Sequence, residues 1–218
     1  MKVLTPEELK LFYEYNPSTK RLSFAKDMFF ISCGLYGANF ADIIRLKNSN
    51  FEGDFISFMR EKSGDRIVNP EPIQFHVDED TMGLINKYGH LNPDRPQDYV
   101  FPFITSGLDS RQILTKTKNL TRRVNNGLNR IGKELGIKNL TSMVARHTAV
   151  TGLLKSGYNV YDVYSLLGHT SITTTQHYIH RLPKSKQINI SNALLPSLEG
   201  SDEDEMMELM SSPIEETE

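Results

Sequence analysis

Residues 142–180 read SMVARHTAVTGLLKSGYNVYDVYSLLGHTSITTTQHYIH, and this stretch decides the fold. Its periodicity predicts a helix over Ser142–Lys155, closed by Ser156-Gly157, and a second over Val160–Leu167. Gly168 stands where a left-handed cap is favoured, and Thr170 can cap a third helix over Ser171–Ile179. Three polar groups ride on this frame: Arg146-His147-Thr148, Leu167-Gly168-His169, and Tyr178, nine residues after His169. Taken singly, each has a plain reading: a solvated arginine, a histidine at a turn, a tyrosine packed near a helix end. In this order and at this spacing they form one pattern. A guanidinium fork matches two phosphate oxygens at once. A free phenol, with a pKa near 10, is a poor nucleophile at neutral pH unless positive charge favours its ionised form.

Upstream, Thr5-Pro6-Glu7-Glu8 reads as a capped helix start running to about Tyr15, stopped by Asn16-Pro17-Ser18. An apolar helix over Ser23–Tyr36 is a core element, broken by Gly37 and followed by a shorter helix over Phe40–Leu46. Phe55–Arg60 and Pro72–Val77 alternate as strands around a Ser63-Gly64-Asp65 turn, so one small antiparallel sheet is expected. Thr81–Tyr88 reads as a short helix, and Tyr99–Phe103 as an edge strand, since Pro102 excludes a central one. A long basic helix over Arg111–Leu135 ends at Gly136. The fold class is α+β, mainly helical, with one small sheet.

The motif stretch resembles the catalytic region of tyrosine recombinases of the phage-integrase family. The likeness extends more loosely through LTPEELK, the apolar second helix and the Arg60-Glu61-Lys62-Ser63-Gly64 turn, covering roughly residues 4–180. It implies the catalytic-domain fold of that family and a DNA strand transferase. Tyr178 would be the nucleophile, forming a covalent 3′-phosphotyrosine and releasing a 5′-hydroxyl. Arg146 and His169 would hold the phosphate, and Lys62 would protonate the departing oxygen. His147 would support the site or the core. The resemblance implies no cofactor and no metal.

Two positions depart from the pattern. The family's first arginine, in Gly-x-Arg-x-x-Glu, is Asn39 here, within Gly37-Ala38-Asn39-Phe40-Ala41-Asp42; Asp42 keeps the acidic place. The histidine three residues before Arg146 is Met143. Asn39 donates hydrogen bonds but brings no charge. Arg45, on the same short helix in this reading, is a substitute that points to a different face. Slow chemistry, or chemistry within an assembled complex only, is the expectation. The competing expectation is a catalytically weakened DNA-binding protein of the same fold. A type IB topoisomerase shares the chemistry, but the short spacing to Tyr178 favours the recombinase.

Charge agrees with a polyanionic partner. Net charge is −2, yet residues 199–218 hold nine acidic side chains and no Lys or Arg, leaving 25 basic against 18 acidic in residues 1–198. Lys116, Lys118, Arg122 and Arg123 make the long basic helix the leading DNA-facing element, against the plain alternative of a solvated face. The partner expected is double-stranded DNA, bound by a monomer that assembles as a tetramer on paired sites. No apolar run is long enough for a membrane span, and the start of the chain is no signal peptide, so a cytoplasmic location is expected. The lone Cys33 lies in an apolar stretch and reads as a core residue. The organisation expected is a catalytic domain over 1–180, a C-terminal exchange helix over 181–196 and an acidic disordered tail over 197–218. Because the chain starts where such a catalytic domain starts, a fragment of a longer recombinase is expected.

Overall fold

The computed structural model describes residues 2–59 and 72–167, without the side chain of Tyr164. Lys62, His169, Tyr178, the turn at 63–65, the helix expected over 171–179, the exchange helix and the acidic tail lie outside the described residues.

Helix α1 spans Pro6–Glu14 and opens with a full capping box: Thr5 Oγ1 accepts from the amide of Glu8, whose carboxylate accepts from the amide of Thr5. Helix α2, Lys20–Gly34, starts three residues earlier than expected, because Thr19 caps it by accepting from the amide of Leu22. It is the central strut. Leu22, Ala25, Met28, Phe29 and Ile31 are buried in it. The short α3, Phe40–Ile43, stops well before Leu46 and passes through a single 3-10 turn, Asn48–Asn50, into the sheet.

The sheet holds three antiparallel strands in sequence order: β1 Phe51–Glu52, β2 Phe55–Phe58 and β3 Ile73–His76. β1 was not foreseen; two residues are too few to show a period. Its turn into β2 uses Gly53 at φ +58°, a conformation that suits glycine. In the β2–β3 register Ile56 faces Phe75 and Phe58 faces Ile73, which puts four buried apolar side chains on one face.

Helix α4, Glu79–Tyr88, is capped by Asp78, again earlier than Thr81. The segment Tyr99–Phe103 is not an edge strand: it makes one isolated bridge, Tyr99 with Lys47. Val100 and Phe101, adjacent in sequence, are both buried in the core, and Pro102 lacks a ladder donor. Helices α5 (Ser110–Leu135), α6 (Ser142–Lys155) and α7 (Val160–Leu167) follow the expected bounds to within a residue, and Gly136 caps α5 at φ +72°.

The core forms where α2 packs on α4, α5 and α6. A Cβ on Gly127 of α5 would lie 2.6 Å from Ala25 Cβ, so these two helices meet at a contact only glycine permits. Asp27 is buried but satisfied, accepting from Lys87 Nζ and Tyr88 Oη at 2.6 Å each. Among the described residues no helix is long and apolar enough to cross a membrane.

Candidate active site

Arg146 leaves the second turn of α6 pointing inward and is only 6% exposed. A buried guanidinium needs acceptors. One is supplied by main chain: Nη1 donates to the carbonyl oxygen of Gly37 at 2.7 Å. The loop after α2 is folded to present that oxygen. Gly37 sits at φ +83° after Tyr36 at φ +53°, the amide of Gly37 returns to Ser32 O at 2.7 Å, and Ser32 Oγ donates to Ala38 O at 2.8 Å. A Cβ on Gly37 would stand 3.0 Å from Arg146 Cα and 3.1 Å from its Cγ. Glycine is therefore required twice at this position, for backbone conformation and for the approach of α6.

Two residues further, Asn39 is the N-cap of α3, yet its side chain makes no capping bond to that helix. It is half-buried, beside the loop that holds Arg146. Asp42, one turn on, is buried and lines a cavity of about 10 Å3 together with Arg146, Phe58, Leu166 and Leu167. The structure thus brings Arg146 and Asp42 to one place, on the side where β3 and α7 meet. Lys62 follows β2 in sequence, and His169 and Tyr178 follow α7.

Arg45 lies beyond the end of α3, so helical spacing does not govern its direction. Its Nε and Nη1 are buried, and it lines a neighbouring cavity of about 200 Å3 with Asp42, Lys47, Asn50, Met59 and Tyr99. Asp42 and Phe58 stand on the walls of both cavities.

His147 is half-buried, and burial, with the positive charges of the chain terminus and Arg146, holds its pKa below the ordinary histidine value. Thr148 turns toward the chain's own beginning and accepts from the amide of Leu4 at 3.1 Å. Met143 is half exposed. Burial pushes the Cys33 thiol up to about 12, which removes it from thiolate chemistry.

On α5, Lys116, Lys118, Arg122 and Arg123 are all exposed but form two stripes. Lys118 and Arg122 are four residues apart, and Asn125, seven beyond Lys118, accepts from the amide of Ser142 at the start of α6. That stripe borders α6. Lys116, Arg123 and Arg130 recur every seven residues on the opposite flank, where Glu134, the one acidic residue of the helix, pairs with Arg130 and Tyr15. No cluster of three metal-ligating side chains occurs among the described residues.

The family model described as "Phage integrase family" matches residues 2–185. The chain belongs to that family. It is 33% identical over 137 residues to tyrosine recombinase XerA of Saccharolobus solfataricus, an alignment covering 63% of this chain and 38% of that protein. The chain thus spans well under half of the length of that relative. Among solved structures, the Tn1549 transposon integrase in complex with transposon right-end DNA matches with a TM-score of 0.61 at 17% identity, over 89% of this chain and 66% of that one. The catalytic domain of bacteriophage HP1 integrase matches with a TM-score of 0.53 at 18% identity, over 89% of this chain and 96% of that domain. The fold is therefore that of a tyrosine-recombinase catalytic domain, mainly helical with one small antiparallel sheet.

Sequence reasoning singled out Arg146 and Asp42 but missed the carbonyl of Gly37, because a main-chain acceptor 109 residues away leaves no mark in a motif. It also missed the wall that Asp42 shares between two cavities.

Proposed function

We propose that this chain is the catalytic domain of a site-specific tyrosine recombinase, the integrase of a mobile element or phage, acting on double-stranded DNA. The observation that carries the reading is Arg146: buried, fixed by Gly37 and beside Asp42, in a chain whose motif spacing assigns that arginine to a phosphate.

Tyr178 gives up its phenolic proton to solvent, favoured by the nearby positive charge, and its oxygen attacks a backbone phosphorus; a phosphotyrosine bond forms and the bond to the 5′-oxygen breaks. Lys62 gives that oxygen its proton, leaving a 5′-hydroxyl. The reverse attack by a 5′-hydroxyl of the partner strand reseals the DNA, so no cofactor is consumed. Arg146 stabilises charge on the five-coordinate phosphorus with donors already in place, and His169 adds one more hydrogen bond. His147, neutral at physiological pH, supports Arg146 by packing rather than by charge. Asn39 adds a carboxamide donor where charge would be stronger. Protomers bind as monomers and form a tetramer on paired sites, with residues 181–196 exchanged between neighbours, and the reaction takes place in the cytoplasm.

A duplex nicked near the cleavage site traps the intermediate. A protein–DNA adduct that survives denaturation is expected, and none from Tyr178→Phe; an adduct persisting in that variant refutes the assignment. The second reading, a DNA-binding protein weakened in chemistry, is favoured by the uncharged Asn39. It predicts binding to the same duplex with no adduct from the unaltered chain.

A further inference from the structure

We propose that the cavity beside Arg45 holds a second phosphodiester of the DNA backbone, neighbouring the one assigned to Arg146. The inference rests on the recombinase reading above and extends it to a distinct contact.

The size and lining of the cavity select the ligand. About 200 Å3 is below the roughly 300 Å3 at which pockets for small organic molecules begin. Its walls carry two cations, Arg45 and Lys47, against one carboxylate, Asp42, and also include Tyr99. Asn50 is occupied with structure: its Oδ1 accepts from the amide of Lys47 at 2.7 Å and its Nδ2 donates to Ser57 O at 2.8 Å. It fixes the main chain that carries Lys47. The Lys47 ammonium is steered to the mouth by Gln97 Oε1 at 3.1 Å and by the Tyr99 ring, 5.8 Å to its centroid. Arg45 comes from the other side with Nε and Nη1 already desolvated. A small cavity with a buried guanidinium, a held ammonium and a phenol fits a tetrahedral oxyanion.

Its position selects the source. Only Asp42 and Phe58 stand on both walls, so the two cavities are a side chain apart. Consecutive phosphates on one strand are separated by a comparable step, about 3.4 Å along the helix axis plus the turn of the backbone. A strand that puts one phosphate at Arg146 therefore carries its neighbour to Arg45 and Lys47. Asp42 lines both cavities, one with Arg45 and the other with Arg146.

The test is the salt dependence of binding to a short duplex by the full chain, for the unaltered protein, Arg45→Ala, Arg45→Lys and Lys47→Ala. Each phosphate contact contributes about 0.9 to the slope of log affinity against log salt. Arg45→Ala and Lys47→Ala are each expected to flatten the slope by part of one contact, the double variant by close to one, and Arg45→Lys to keep it. Unchanged slopes in folded alanine variants overturn the proposal. If Arg45→Ala does not fold, Lys47→Ala, at a side chain that is only half-buried, decides it by the same measure. Inorganic phosphate distinguishes a free anion: thermal stabilisation by phosphate that needs Arg45, with the DNA slope unchanged, overturns the assignment to DNA. Flattened slopes without any Tyr178 adduct sink the recombinase reading and leave this contact standing. An adduct with unchanged slopes does the reverse.

Discussion

The main-chain amide of Leu4 donates to Thr148 Oγ1 at 3.1 Å, a buried bond across 144 residues that ties the start of the chain to the helix bearing Arg146. The threonine of the Arg-His-Thr run is thus a fastening for its own domain. Thr148→Val keeps the shape and removes the acceptor, leaving the Leu4 amide buried and unsatisfied at a cost of about 1–3 kcal/mol. Thermal unfolding should show a fall of several degrees, and Thr148→Ser should recover most of it. A valine variant as stable as the parent would show that the bond contributes nothing.

Gly37→Ala should be worse than its size suggests. The positive φ alone costs about 1 kcal/mol or more, and the added methyl would press on the backbone of α6 at Arg146. Adduct formation should fall with stability. Gly53→Ala is the control: its φ is +58°, but nothing lies within 4 Å of an added Cβ, so it should lose stability only. Equal effects of the two on adduct formation would remove Gly37 from the site.

Arg146→Lys keeps the charge and loses the fork. A lysine cannot bond Gly37 and present a paired donor to phosphate at the same time. Cleavage of the nicked duplex should drop by about a hundredfold to a thousandfold, with DNA affinity changed only a few-fold. A large loss of affinity with unchanged single-turnover rate would reassign Arg146 to binding alone.

His147 predicts the pH response. Its folded pKa is lowered by burial, so the unfolded chain takes up a proton first as pH falls. Its contribution is therefore full above about pH 6.5, the ordinary histidine value, and declines as pH falls from there to the folded value. Urea unfolding between pH 7.5 and 5.5 should show this loss, and His147→Gln should flatten it. A parent curve that is already flat over that range contradicts the burial.

The two stripes of α5 should not be equivalent. Lys118 and Arg122 border α6, the helix of Arg146, whereas Lys116 and Arg123 face away from it. If α5 faces DNA, Lys118→Ala with Arg122→Ala should reduce the salt slope of binding by about two contacts. The Lys116/Arg123 pair should reduce it less. Equal slopes would leave the basic face as solvated surface.

Much of this was legible because caps and periods are local. Thr5, Gly136 and the pattern over Ser142–Lys155 place their helices without help from the rest of the chain. The start of α2 was misplaced because Lys20 and Arg21 look like loop, although Thr19 caps them into the helix. Tyr99–Phe103 is aromatic and apolar like a strand, but Val100 and Phe101 are both buried in the core and the segment makes only one isolated bridge. In the site, Arg146 was legible from motif spacing. Arg45, singled out as a substitute on another face, lines a cavity separate from that of Arg146, although α3 ends at Ile43.

Arg146 is held by a carbonyl, the one group that every residue type possesses. This bond does not depend on which side chains stand at Ala38 and Asn39, provided Gly37 stays. An arginine or an asparagine at position 39 leaves that bond to Arg146 in place. The hold on main chain makes the cradle evolvable one arm at a time.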